Sequence, residues 1–150
     1  MSMKSQEKNM RKLAELLSCD LGYIWGKKES GPNGDKKVFL NTGKAFLRAL
    51  AKDLNLQEVK VAANPGGIAV SGDCSLYGMW EDSGIHISLG HIISNHELIF
   101  LFRSIRNMRD CSGGRNMFLT RKDLEELSYV QLLDKLLALR KEAGAYERAA

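Results

Sequence analysis

Residues 5–18, SQEKNMRKLAELLS, place Met10, Leu13, Leu16 and Leu17 at helical spacing and Lys8, Arg11, Lys12 and Glu15 on the other side. That period predicts an amphipathic helix. A second helical stretch, NTGKAFLRALAKDLNL, is expected to start near Asn41 or Thr42 and to bury Phe46, Leu47, Leu50 and Leu54. Between the two runs WGKKESGPNGDKK, with Pro32, three glycines and four lysines. Its Gly-Pro-Asn-Gly turn chemistry predicts a flexible loop over 26–37.

From Glu58 the period changes from helical to alternating. EVKVA, GIAVSG, CSLYGMW and GIHISLG are short segments rich in β-branched or aromatic residues, separated by Asn64-Pro65-Gly66-Gly67, Ser71-Gly72-Asp73 and Glu81-Asp82-Ser83-Gly84. Short strands with tight connections predict antiparallel hairpins, because parallel pairs need long crossovers. The next run, SNHELIFLFRSIRNMRD, fits two patterns. Ser94 and Glu97 match a capping box ahead of a helix. The continuous apolar stretch Leu98–Phe102 instead suits a central strand with both faces covered. Its Ile and Phe content and its place after a hairpin-like loop favour the strand.

After Gly114 helical signals return. Thr120 with Asp123 is an N-cap candidate, Ser128 is a point where a short helix can give way to a longer one, and Val130, Leu133, Leu136 and Leu137, widened by Leu132 and Leu139, form the expected apolar face. The tail over 145–150 is expected to fray. The order helix, helix, sheet, helix predicts one α+β domain over 1–150. Its antiparallel sheet has four or five strands, a meander over about 57–107, packed by two N-terminal and one or two C-terminal helices.

Composition narrows the class. With 150 residues and 44% hydrophobic content the chain can build a core without disulfides or a metal. The polar start MSMKSQEKNM lacks the apolar run of a secretory signal, and no stretch approaches the length of a membrane span. A bacterial-type cytoplasm is the expected location, with no membrane partner. Cys19, Cys74 and Cys111 are widely spaced, odd in number and outside any CxxC pattern, so reduced thiols are expected.

Charge is unevenly distributed. Residues 1–60 carry 12 basic against 7 acidic side chains, residues 61–102 carry four acids and no Lys or Arg, and residues 103–150 carry 10 basic against 7 acidic. Such polarity favours acidic partners. The densest feature is SIRNMRDCSGGRNMF, in which Arg106, Arg109 and Arg115 follow Arg103 and surround Ser112, Gly113 and Gly114. A guanidinium donates a planar fork to phosphate and keeps its charge. Successive N–H groups around a double glycine can form an anion nest. Against that stands ordinary turn chemistry, with arginines paired to acids such as Asp110 or Glu125. On a strand, Arg103 and Arg109 face away from Arg106.

Other chemistry is weaker. GKAF at 43–46 has Val38 where a phosphate loop needs its first glycine and Ala45 where it needs a hydroxyl. Gly43 is expected at a helix start. His86 and His91 point to opposite faces of a strand, so no zinc site is expected. No nucleophile elbow or triad spacing is present. Cys111, close to arginines, lacks an adjacent base. The sequence therefore predicts a non-enzymatic binding or adaptor protein without cofactor. It is expected to engage nucleic acid or an acidic protein through Arg103, Arg106, Arg109, Arg115 and the Ser112–Gly114 loop, helped by Lys27, Lys28, Lys36 and Lys37. A homo-oligomeric interaction module without nucleic-acid binding, such as a homodimer, is the alternative, and a small enzyme with a pocket around Cys111 or the histidines is the third reading.

Overall fold

A computed structural model describes residues 3–17, 35–64, 72–90, 98–109 and 114–149. In chain order the elements are α1 (Met3–Leu16), α2 (Asp35–Asp53), β1 (Glu58–Asn64), β2 (Asp73–Met79), β3 (Gly84–Gly90), β4 (Leu98–Ile105), β5 (Met117–Thr120), α3 (Arg121–Glu126) and α4 (Tyr129–Ala149). The five strands form one antiparallel meander in sequential order. The expected α+β class is the observed one, and the 98–105 segment is a strand.

Side-chain parity assigns the two faces of the sheet. Cys74, Leu76, Ile85, Ile87, Leu89, Phe100 and Phe102 point into one buried cluster with the helices. Against this face α2 lies beside β1 and β2, α4 beside β4 and α3 beside β5, while α1 packs on α2, α3 and α4. The layer is joined by polar contacts as well as apolar ones. Gln6, fully buried in α1, donates to the Phe46 carbonyl at 3.1 Å and to the Tyr129 hydroxyl at 3.2 Å. Tyr129 in turn donates to Asp53 at 2.5 Å. Arg11 reaches the Leu124 and Leu127 carbonyls at 2.8 and 2.7 Å, closing the C-terminal end of α3.

Local chemistry accounts for the element ends. Thr120 is the expected N-cap of α3 and forms a capping box with Asp123, and the helix stops before Ser128, with α4 beginning at Tyr129. At the end of α2, Asn55 takes a left-handed φ of 58°. The Leu56 N–H bonds the Ala51 carbonyl and the Asn55 N–H bonds that of Lys52, the paired bonds of a Schellman motif. This motif swings the chain directly into β1.

Four expectations change. α2 begins at Asp35, not near Asn41, so residues 35–37 of the expected loop are its first turn. Phe39, fully buried one turn ahead of Gly43, extends the apolar stripe and holds that turn. β5 lies beyond the meander expected over about 57–107; its strand character comes from pairing with Leu98–Phe102 of β4. The buried face of α4 is Tyr129, Leu132, Leu136 and Leu139, whereas Val130 is 50% and Leu137 37% exposed. Helical backbone also runs on to Ala149. The strand expected at GIAVSG lies outside the described residues except for Gly72. Among the described residues no helix is long and apolar enough to cross a membrane.

Candidate functional site

The register puts the start of β1, the β2–β3 turn, the end of β4 and the start of β5 at one end of the sheet. Arg106 and Arg109 leave β4 there, and Arg115 precedes β5 there. All three are exposed. Among the described residues, no carboxylate lies within ion-pair distance of Arg103, Arg106, Arg109 or Arg115; the ion pairs are Arg11–Glu7, Arg121–Glu125 and Arg140–Asp82. Arg140 approaches the same end from α4, bonded to Asp82 at 3.1 Å and lying 5.1 Å from the Trp80 ring. Trp80 is anchored by its indole N–H on the Leu54 carbonyl at 2.7 Å.

Arg103 behaves differently. It sits inside β4 on the face away from the helices, cross-strand from His86. Its Nη2 donates to the Gly114 carbonyl at 3.0 Å, and its Nε is buried with no hydrogen-bond partner. Arg103 therefore clamps the returning loop onto the strand. Gly114 has a matching structural reason. A Cβ there would stand 2.3 Å from the Ser104 carbonyl oxygen and 2.6 Å from its Oγ. Because the obstacle is backbone, Gly114→Val is expected to cost about 2–3 kcal/mol, as overpacking does, measurable as a lower urea midpoint.

The remaining expected residues divide. Lys36 and Lys37 lie in the first turn of α2. The far end of that helix, Leu54, meets Trp80. The intervening 18 residues correspond to about 27 Å of helix. The two lysines therefore belong to the opposite end of the sheet from the arginines. Lys27, Lys28, Ser112, Gly113 and Cys111 lie outside the described residues. Gly43 is in mid-helix instead of at a helix start. A Cβ on it would meet the Cys74 Sγ at 2.6 Å, so its lack of a side chain is what lets α2 settle on β2.

Beside Arg109 the sheet end holds a cavity of about 560 Å³. Met79, Met108 and the buried Trp80 supply its apolar surface, and Gln57, Glu58, Glu81 and Asn107 its polar atoms. Sequence reasoning read Glu81 only as part of a hairpin turn, and the turn is indeed closed by the Trp80 N–H on the Ser83 carbonyl at 2.8 Å. It missed Gln57, Glu58 and Met108. The available signal was the position of Asn107 and Met108 between two of the arginines.

Burial, then the neighbouring Asp73, pushes the Cys74 thiol up to about 12, which leaves it protonated and unreactive near neutrality. Among the described residues no cluster of His, Cys, Asp and Glu is arranged to hold a metal. His86 stacks on Tyr77 with ring centroids 4.2 Å apart and planes 10° from parallel. Burial, and secondarily the Arg103 charge, lowers its pKa from the ordinary 6.5. The unfolded chain then takes up a proton at higher pH than the folded one, so stability is full above about pH 6.5 and declines as pH falls below it. Urea titrations between about pH 8 and pH 5 should show this decline, and His86→Gln should flatten it.

Comparison of the chain with known protein families, with curated proteins and with solved structures returns no match.

Proposed function

We propose that this protein is a non-enzymatic binding domain that engages nucleic acid, in single-stranded form, through Arg106, Arg109 and Arg115. The observation that carries this reading is the presence of three exposed guanidinium groups at one end of the sheet, none paired to a carboxylate among the described residues. Unpaired guanidinium groups are available to phosphate at no cost of breaking an existing ion pair. An acidic protein surface suits the place less well. Glu58 and Glu81 line the adjoining cavity, where they repel any anion but accept hydrogen bonds from the N–H groups of bases. Single strands expose those base edges, whereas duplexes pair them.

The test is fluorescence anisotropy with a labelled single-stranded RNA of about twelve nucleotides over a range of salt concentrations. Three phosphate contacts predict a slope of log affinity against log salt of about −2 for a single strand. A salt-independent affinity, or no binding at about 50 mM salt, rules the reading out. Tighter binding of polyglutamate than of RNA transfers the site to an acidic protein.

One observation favours a second reading, self-association. Val130 and Leu137 are exposed on α4, with half-buried Leu133 between them at heptad-like spacing. A second copy docking this stripe would bury it. Sedimentation equilibrium decides the matter: a mass equal to one chain at all loading concentrations excludes it.

A further inference from the structure

The cavity next to Arg109 has a composition that simple phosphate capture does not explain. Arg109 lines it together with Glu58 and Glu81, yet among the described residues neither carboxylate is within ion-pair distance of the guanidinium. Opposite charges that share a cavity without neutralising one another match a ligand that presents an anion at one point and hydrogen-bond donors at another. The apolar side of the cavity, Met79 and Met108, offers polarisable thioethers to the face of a flat ring. Its volume, about 560 Å³, falls within the range of small-molecule sites, about 300–1,000 Å³.

Among the nucleobases, one edge fits a carboxylate well. Guanine carries two adjacent donors, N1–H and the N2 amino group, which a single carboxylate accepts as a parallel pair. Adenine and cytosine each set a ring-nitrogen acceptor beside their amino donor, and uracil offers one N–H between two carbonyls. A carboxylate facing any of those three meets a lone pair. Glu58 is the cross-strand partner of Met79, and Glu81 lies two residues beyond Met79 in the turn. Both carboxylates are therefore rooted beside the apolar surface on which a base would rest.

Building on the single-strand reading above, the geometry points to this cavity as the seat of an unpaired guanine. Its donor edge lies on Glu58 or Glu81, its ring on Met79 and Met108, and its phosphate on Arg109. The same chemistry is offered by guanine within a strand and by a free guanine nucleotide.

The experiment measures anisotropy of labelled oligouridine strands of about twelve nucleotides with one central guanine, adenine, cytosine or inosine. The guanine strand should bind about tenfold more tightly than the adenine and cytosine strands. Inosine, which lacks the N2 amino group, should lose most of that gain. Glu58→Gln with Glu81→Gln should erase the preference, with each single variant measured in parallel and folding checked by thermal unfolding. Unlabelled guanosine monophosphate is then added as competitor. Displacement near the strand's own dissociation constant identifies a nucleotide site, and displacement only by guanine-containing strands identifies a strand site. Equal affinity for the guanine, adenine and cytosine strands overturns the guanine assignment and leaves the arginine reading standing. A preference that survives in the double variant also overturns it. Failure of all strands and of the nucleotide to bind at about 50 mM salt ends both.

Discussion

Replacing Arg106, Arg109 and Arg115 together by alanine is expected to weaken single-stranded RNA binding roughly 100-fold while leaving thermal stability within about 0.5 kcal/mol of the parent. The estimate takes about 1 kcal/mol for each charge-assisted contact, discounted for its solvent exposure. All three side chains are exposed, and among the described residues no carboxylate lies within ion-pair distance of them, so their removal is expected to cost the fold little. The salt slope should collapse toward zero in the same variant, because the counterions released on binding are those the arginines displace. Anisotropy and a thermal melt on one preparation check both halves. Retention of binding within about threefold would place the RNA contact elsewhere. Arg103→Ala should behave in the opposite way, lowering stability through loss of the clamp on Gly114 and changing affinity only through the loop it holds.

The largest effect on folding is expected at Phe100. This ring is fully buried on the helix side of β4, paired across to Leu89 and Leu119, and meets Phe102 edge-on at 6.1 Å. Phe100→Ala removes its contacts with strands on both sides and leaves a void that rigid neighbours cannot close, for about 3–5 kcal/mol. In a chain of this size that corresponds to a midpoint lower by roughly 10 °C. Phe118→Ala is the control. Phe118 is only half-buried and pairs with Leu101 on the other face, so its loss should cost well under half as much. Equal losses at the two positions would mean that the helix-covered face is not the main core.

Much of the architecture could be read without coordinates because its causes are local. The capping box at Thr120 and Asp123, the break before Tyr129, the α1 stripe of Met10 and Leu13, and the alternation through β2 are each written within a few residues. The 98–105 segment was harder, since a short apolar run satisfies either period. Two strands flanking it settle the matter. The early start of α2 was hidden by Gly43, which reads as a boundary and turns out to be a packing contact with Cys74.

The arginines show the same division. Their number and spacing are visible in the chain, and strand parity bears on Arg103 alone, because β4 ends at Ile105 with Arg106 and Arg109 beyond it. What parity cannot supply is the partner, and the Gly114 carbonyl is what converts Arg103 from a ligand candidate into a clamp. Nor could spacing bring Glu58, Met79 and Glu81 to Arg109, since that juxtaposition requires β1, β2 and β4 to be stacked in register. By itself the sequence determined most of the element types, the sheet's antiparallel sense and the cationic character of one loop, because propensity, periodicity and charge act between near neighbours. Only the tertiary structure decided which α4 stripe is buried, that MFLT is a strand, and which charges share a cavity. Those outcomes depend on surfaces contributed by residues far away along the chain.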